Sequence, residues 1–207
     1  MNFTLYEIDK PKRLKKLAGN KVNFFKKPGD IELYHFNEIE TDMFHIVYHI
    51  KDEYQVGTKR AGNQMRLPFT QFVNCFFFLE NDYFLLEEVL EEYQQDVVEH
   101  IQRKAGVSIK RKKLENKHFL QVYSALSGFI KKVEYQDKDE EDYYLDSINK
   151  EKFEDIVENF ILNRLTMSVE DEFVSMYKKG KISVDNSNEN YLIKFTRDIV
   201  YAIDNCN

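Results

Sequence analysis

Between Met43 and Val56 the chain alternates: Phe44, Ile46, Tyr48, Ile50, Tyr54 and Val56 fall on one side of an extended backbone, His45 and His49 on the other. Apolar residues at every second position mark a strand with one buried face; a period of 3.6 would scatter them around a helix axis. This stretch commits the chain to a sheet. Gly57-Thr-Lys-Arg-Ala-Gly62-Asn63 reads as a loop into a second strand, about Met65 to Leu79, and Glu80-Asn81-Asp82 as a turn into a third, Tyr83 to Val89. Sequential strands joined by short turns predict an antiparallel meander over about 43–89.

Downstream the period changes. Leu90, Tyr93, Val97, Ile101 and Ala105 keep helical spacing, and Gly106 stands where a helix C-terminus favours glycine. Val107 to Leu114 reads as a strand, Asn116 as the cap of a short helix to Leu126, and Phe129 to Tyr135 as another strand. Phe153, Ile156, Val157, Phe160 and Ile161 form an amphipathic stripe. In the last forty residues Ile182 and Val184 alternate after Lys179-Gly180, favouring a hairpin over a helix, and Leu192, Phe195, Ile199 and Ile203 suit a terminal helix. The fold class is α+β: an antiparallel meander with packed helices and a C-terminal helical and hairpin subdomain. The acidic run Gln136 to Asp142 suggests a division into an α+β domain (1–135), a linker (136–146) and a C-terminal subdomain (147–207), which can still fold as one cooperative unit.

Composition supports a real core. The chain has 207 residues with 17 Phe and 13 Tyr against 7 Gly and 3 Pro, which excludes a disordered or collagenous protein. Two cysteines, Cys75 and Cys206, make no disulfide framework. The N-terminal stretch meets Asp9 and a basic cluster rather than an apolar segment, and the longest uncharged run, Leu67 to Leu79, is too short to span a membrane. A cytoplasmic protein with no membrane partner is expected.

The motif search yields no enzyme signature. His45-Ile-Val-Tyr-His49 places two imidazoles on one strand face, but zinc needs further ligands, and only His35 lies near in sequence. Gly57 to Gly62 matches the spacing of half a phosphate-binding P-loop; the following Asn63 and Gln64 replace the required Lys and Ser/Thr. Glu115-Asn116-Lys117 is one acid-x-Lys triplet of the nuclease type, fewer than 36 acids and 23 lysines scattered at random would give. Counted from Asp137, a calcium loop would need Gly and Glu where Asp142 and Ile148 stand. No cofactor and no metal are expected.

Charge placement is the informative feature. The formal charge is −6, yet Lys10 to Lys27 holds eight basic residues and no acid. Arg103 to Lys117 holds seven basic residues against Glu115 alone, and Cys75 to Glu99 holds eight acids and no Lys or Arg. A strand through Lys110-Arg111-Lys112-Lys113 puts cations on both faces, so it must be an edge strand or line an open groove. The expectation is a non-catalytic accessory subunit contacting nucleic-acid backbone, or a nucleoprotein, through Lys10, Lys12, Arg13, Lys15, Lys16, Lys59, Arg60, Lys110, Arg111, Lys112 and Lys113. With 23 Lys and 7 Arg, contact should be salt-sensitive and phosphate-directed rather than base-reading. Two alternatives stand beside it: a protein–protein adaptor, in a homo- or hetero-oligomer, docking through Glu87, Glu88, Glu91, Glu92, Asp96 and Glu99; and a metal-dependent nuclease or hydrolase with unrecognised carboxylates.

Overall fold

The computed structural model describes residues 1–18, 31–57 and 64–205. In chain order the strands and helices are β1 (Asn2–Ile8), β2 (Ile31–Glu40), β3 (Met43–Gly57), β4 (Gln64–Phe78), β5 (Tyr83–Glu87), α1 (Glu91–Ile101), β6 (Ile109–Arg111), α2 (Asn116–Leu126), β7 (Phe129–Gln136), β8 (Asp142–Asp146), α3 (Lys150–Asn159), β9 (Ile161–Val169), β10 (Glu172–Tyr177), β11 (Lys181–Val184) and α4 (Glu189–Asp204). Pro11–Leu17 is a 3-10 segment and Gln102–Gly106 a π turn. The fold is α+β, and its single sheet is antiparallel throughout, in the order β2-β3-β4-β5-β1-β11-β10-β9-β7-β8 with β6 beside β1.

The expected meander is present as β3, β4 and β5, but it is only part of this sheet. The first strand of the chain lies at its centre. One edge of β1 pairs with β5; the other pairs with β11 at Asn2–Thr4 and with β6 at Tyr6–Ile8. Strands β11 and β6 therefore lie end to end along one edge of β1.

Two cores lie on opposite faces. On one face α2, α3 and α4 bury Phe119, Phe153 and Phe195 against Phe3, Leu5, Leu165, Met167 and Val174. On the other, α1 and the 3-10 segment bury Val97, Ile101, Leu14 and Leu17 against Ile46, Tyr48, Phe77 and Phe84. Each buried large side chain stabilises by about 1.5–3 kcal/mol. The central strands feed both cores, which explains their unbroken apolar runs: Cys75 to Leu79 and Tyr83 to Leu86 are buried at every position. Towards the rims only one face is covered, and the strands alternate.

Several local expectations are corrected. Asn116 does not cap α2: Glu115 does, in a capping box with His118, whose Nδ1 accepts the Glu115 amide at 2.8 Å. The Asn116 side chain instead donates to the Val157 and Phe160 carbonyls and accepts from the Leu162 amide, tying the end of α3 to β9. The α3 stripe stops at Asn159; Phe160 turns extended and Ile161 opens β9, so the apolar run crosses from helix to strand. The strand expected over 107–114 shrinks to Ile109–Arg111, because β1 offers free edge only up to where β11 begins. Tyr54, placed on the buried face, is 58% exposed. There, among the described residues, β3 and β4 pair only with each other, past the end of β2 and of β5. Pro68 fits this stretch: Asn74 donates its amide towards Glu87, on the β5 side, so residue 68 likewise faces away from β3, and proline there removes no ladder bond. The acidic residues 137–141 form the turn of the β7–β8 hairpin, where the Asp137 carboxylate accepts the Asp139 and Glu141 amides.

Candidate nucleic-acid interface

The basic segment of β6 does not stand alone. The β10–β11 turn, Lys178-Lys179-Gly180, packs beside it: Leu114 donates to Lys178 O (2.8 Å), and Leu5 of β1 bridges the two, donating to Gly180 O (2.8 Å) and accepting from the Lys112 amide (2.9 Å). The Arg111 guanidinium donates to Lys179 O at 2.9 Å. Gly180 makes this possible. Its φ is +81°, and a Cβ there would lie 2.0 Å from Lys112 O, so no other residue fits without moving backbone. Lys110, Arg111, Lys112 and Lys113 thus meet Lys178, Lys179 and Lys181, from nearly seventy residues further on, along one edge of β1.

The 3-10 segment lies at the far end of that edge. The Asp9 amide donates to Ser108 O, the Ser108 amide returns a bond to Asp9 Oδ1 at 2.7 Å, and Arg13 donates to Gly106 O at 2.9 Å. The Ser108 bond, aided by Lys10, holds the Asp9 carboxyl below the ordinary aspartate range. Cations 10–13 and 110–113 are therefore neighbours, and a cleft beside Lys110 shares Asp82 with one beside Lys10, Lys12 and Arg13.

The cations differ in how far they are already engaged. Lys10 pairs with Asp9 (3.2 Å), Lys12 with Glu80 (3.1 Å) and Lys181 with Glu88 (2.5 Å). Lys15 lies over the Phe44 ring. Lys112 is held hardest, 2.6 Å from Glu7 and over the Tyr83 ring. Its partial burial by itself would lower the ammonium pKa, but hydrogen bonds to Glu7 and Tyr83 outweigh this and raise it. Lys16, Lys110, Arg111, Lys113, Lys178 and Lys179 form no ion pair with a described residue. Lys110, Arg111, Lys113 and Lys179 are also exposed. Lys59 and Arg60 lie outside the described residues. As an edge strand would, β6 pairs with β1 and with no other strand among the described residues. Lys178, Lys179 and Lys181 were legible as three lysines in four residues, but read only as a turn.

The other candidates disperse. His45 stacks on Phe76 and its Nε2 lies 2.9 Å from Asn74 Oδ1, while His49 stacks on Phe72 and reaches Thr70 Oγ1 at 3.2 Å. Among the described residues no three His, Cys, Asp or Glu side chains converge as metal ligands would. Of the acidic set, Glu87 lies on β5 and binds Asn74 through both the backbone amide and Nδ2, and Glu88 is taken by Lys181. Glu91, Glu92, Asp96 and Glu99 remain exposed on α1. Cys75 is buried as a free thiol, and burial pushes its pKa well up. No helix among the described residues is long and apolar enough to cross a membrane. No protein-family model matches this chain, and no curated protein matches it either.

Proposed function

We propose that this protein is a non-catalytic binding subunit whose Lys/Arg edge contacts the phosphate backbone of nucleic acid. The observation that carries the reading is the junction at Gly180, where two lysine-rich segments distant in sequence share one strand edge and several cations have no carboxylate partner among the described residues. Cations held by carboxylates gain little from a phosphate, whereas free ones release counterions on binding. The excess of lysine favours phosphate contact without base reading.

Fluorescence anisotropy with labelled DNA and RNA, across a salt series, tests the reading. Binding should weaken steeply with salt, and the reversal Lys110→Glu/Arg111→Glu/Lys113→Glu/Lys179→Glu should abolish it. No binding at low salt, or binding indifferent to the reversal, overturns it. The exposed acids of α1 support a second reading, an adaptor docking a basic partner. Stoichiometric co-purification of another protein, lost on reversing Glu91, Glu92 and Asp96, would favour that.

A further inference from the structure

A cleft of about 640 Å³ lies between α1 and the paired strands β1 and β6. That is within the size range of small-ligand sites. Tyr6 lines it from β1, in register with Phe84 of β5 and Arg111 of β6, and stacks on the Phe84 ring at 5.1 Å. On one side α1 and the π turn after it present Glu91, Gln94 and Gln102; Arg111 stands on the other.

Several polar groups of this cleft are left incompletely used. Arg111 donates from Nε to Lys179 O at 2.9 Å, which fixes its guanidinium and leaves the Nη groups without a carboxylate among the described residues. Glu91 is exposed and forms no ion pair with a described residue, whereas Glu88 beside it is neutralised by Lys181. Gln94 directs Nε2 at the Glu87 and Val89 carbonyls and keeps its Oε1. The Gln102 side-chain amide and the Tyr6 hydroxyl form no hydrogen bond with a described residue. Burial raises the Tyr6 pKa, Arg111 opposes the rise, and Glu88 and Glu91 add to it, so charges of both signs act on that hydroxyl.

Arg111 and Glu91 are thus opposite charges kept apart by the strand and the helix that carry them. A ligand anionic at one end and bearing N–H donors at the other completes both. We propose that the cleft takes a nucleotide, with its phosphate on Arg111 and its base between Glu91, Gln94 and Gln102. The proposal rests on the nucleic-acid reading above and names the part of the ligand that enters the cleft. A guanidinium presents paired donors that match phosphate oxygens. Carboxylate and amide oxygens accept from the exocyclic amino group of cytosine, and thymine and uracil carry no such group. An amino acid offers the same two charges, but the exposed Lys110, Lys113 and Lys179 near Arg111 favour a ligand that continues as a chain of phosphates.

The test compares labelled 12-nucleotide dC and dT by anisotropy, and 5′-CMP and 5′-UMP by shifts of the glutamine side-chain amides in 1H–15N spectra. It uses the full chain, Glu91→Gln and Gln102→Ala. Neither side chain is buried, so melting temperature should not change in either variant. The full chain should bind dC at least about fivefold more tightly than dT, and CMP should shift Gln102 where UMP does not. Glu91→Gln should erase the preference, and Gln102→Ala should weaken dC binding about threefold or more. If dC and dT bind alike in every variant while the Lys110–Lys179 reversal binds neither, the cleft proposal falls and the backbone reading stands. If CMP shifts the cleft amides but no strand binds, the cleft holds free nucleotides and the backbone reading falls alone. If neither strands nor CMP bind, both fall. Shifts of the same amides by glutamate and not by CMP would assign the cleft to amino acids and overturn the proposal.

Discussion

In the N-terminal half of the sheet, β3 and β4 turn Ile46, Tyr48 and Phe77 towards α1; on the other face His45 meets Glu189 at the start of α4, and His49 and Phe72 have no helix above them. In the C-terminal half, β9 and β10 turn Leu165, Met167 and Val174 towards α2–α4; the opposite face carries no helix, and there Arg164 lies over the buried Thr166 and Ser175. The two uncovered faces follow different chemistry. On the first, imidazoles stack on phenyl rings and reach Asn74, Thr70 and Glu32, so polar groups find partners nearby. On the second, the Thr166 and Ser175 hydroxyls bond each other beneath Arg164, which donates to Thr166 and shares Glu134 with Lys132. Lacking a helix therefore does not make either face ready to bind, because each compensates its own polar groups. Exposed cations with no ion pair among the described residues lie instead on the edge, at Lys110, Arg111, Lys113 and Lys179.

The largest effects should come from the cores and show whether the halves are one unit. Phe77→Ala and Phe153→Ala empty fully buried sites on opposite faces, each costing about 3–5 kcal/mol. Because β1 pairs with strands of both halves, urea unfolding of each variant should remain a single transition by far- and near-ultraviolet circular dichroism. Two separated midpoints would mean that the halves fold apart.

The two glycines Gly180 and Gly57 sharpen the comparison next. Gly180→Ala meets Lys112 O and a positive φ, and should cost more than about 2 kcal/mol. Gly57→Ala, with nothing within 4 Å of the added carbon, should change stability by less than about 1 kcal/mol. Equal midpoints in urea would contradict the tight junction between β6 and the β10–β11 turn. Asn116→Ala removes three hydrogen bonds that exist only in the C-terminal half, and should cost about 1–3 kcal/mol by the same assay.

The smallest effect is titration, and it touches both halves. Burial, with Lys104 and Arg103 nearby, lowers the His100 pKa below 6.5; burial, with Lys112 and Lys117 outweighing Glu115, does the same for His118. Neither imidazole is charged in either state well above pH 6.5, so these groups leave stability unchanged there. Below it the unfolded chain takes up protons first, and stability falls until the folded pKa is passed. Urea midpoints should decline as pH falls below about 6.5, and less steeply in His100→Gln. A slope unaffected by this substitution would assign the decline to other groups.

Much of the fold was legible wherever local pattern and burial coincide. The alternation of Phe44 to Ile50, the glycine turn at Gly180 and the Leu192–Ile203 stripe appear as read, because each is a one-sided element whose period reports its buried face. The reading failed where an element owes its existence to a distant partner. β1 carries too little pattern to announce itself as a central strand, and β9 begins inside what reads as a helical stripe. β6 is short because β11 occupies the rest of the edge.

The candidate site divides the same way. That Lys10–Lys16 and Lys110–Lys113 are basic, and that a strand with cations on both sides must be an edge, followed from residue order alone. That Lys178 and Lys179 join them, and that Lys112 is consumed by Glu7, was decided by pairing across the sheet. The physical reason is one of range. Side-chain alternation and charge are properties of a segment, whereas the covering of a face and the neutralisation of a charge depend on what folds against it.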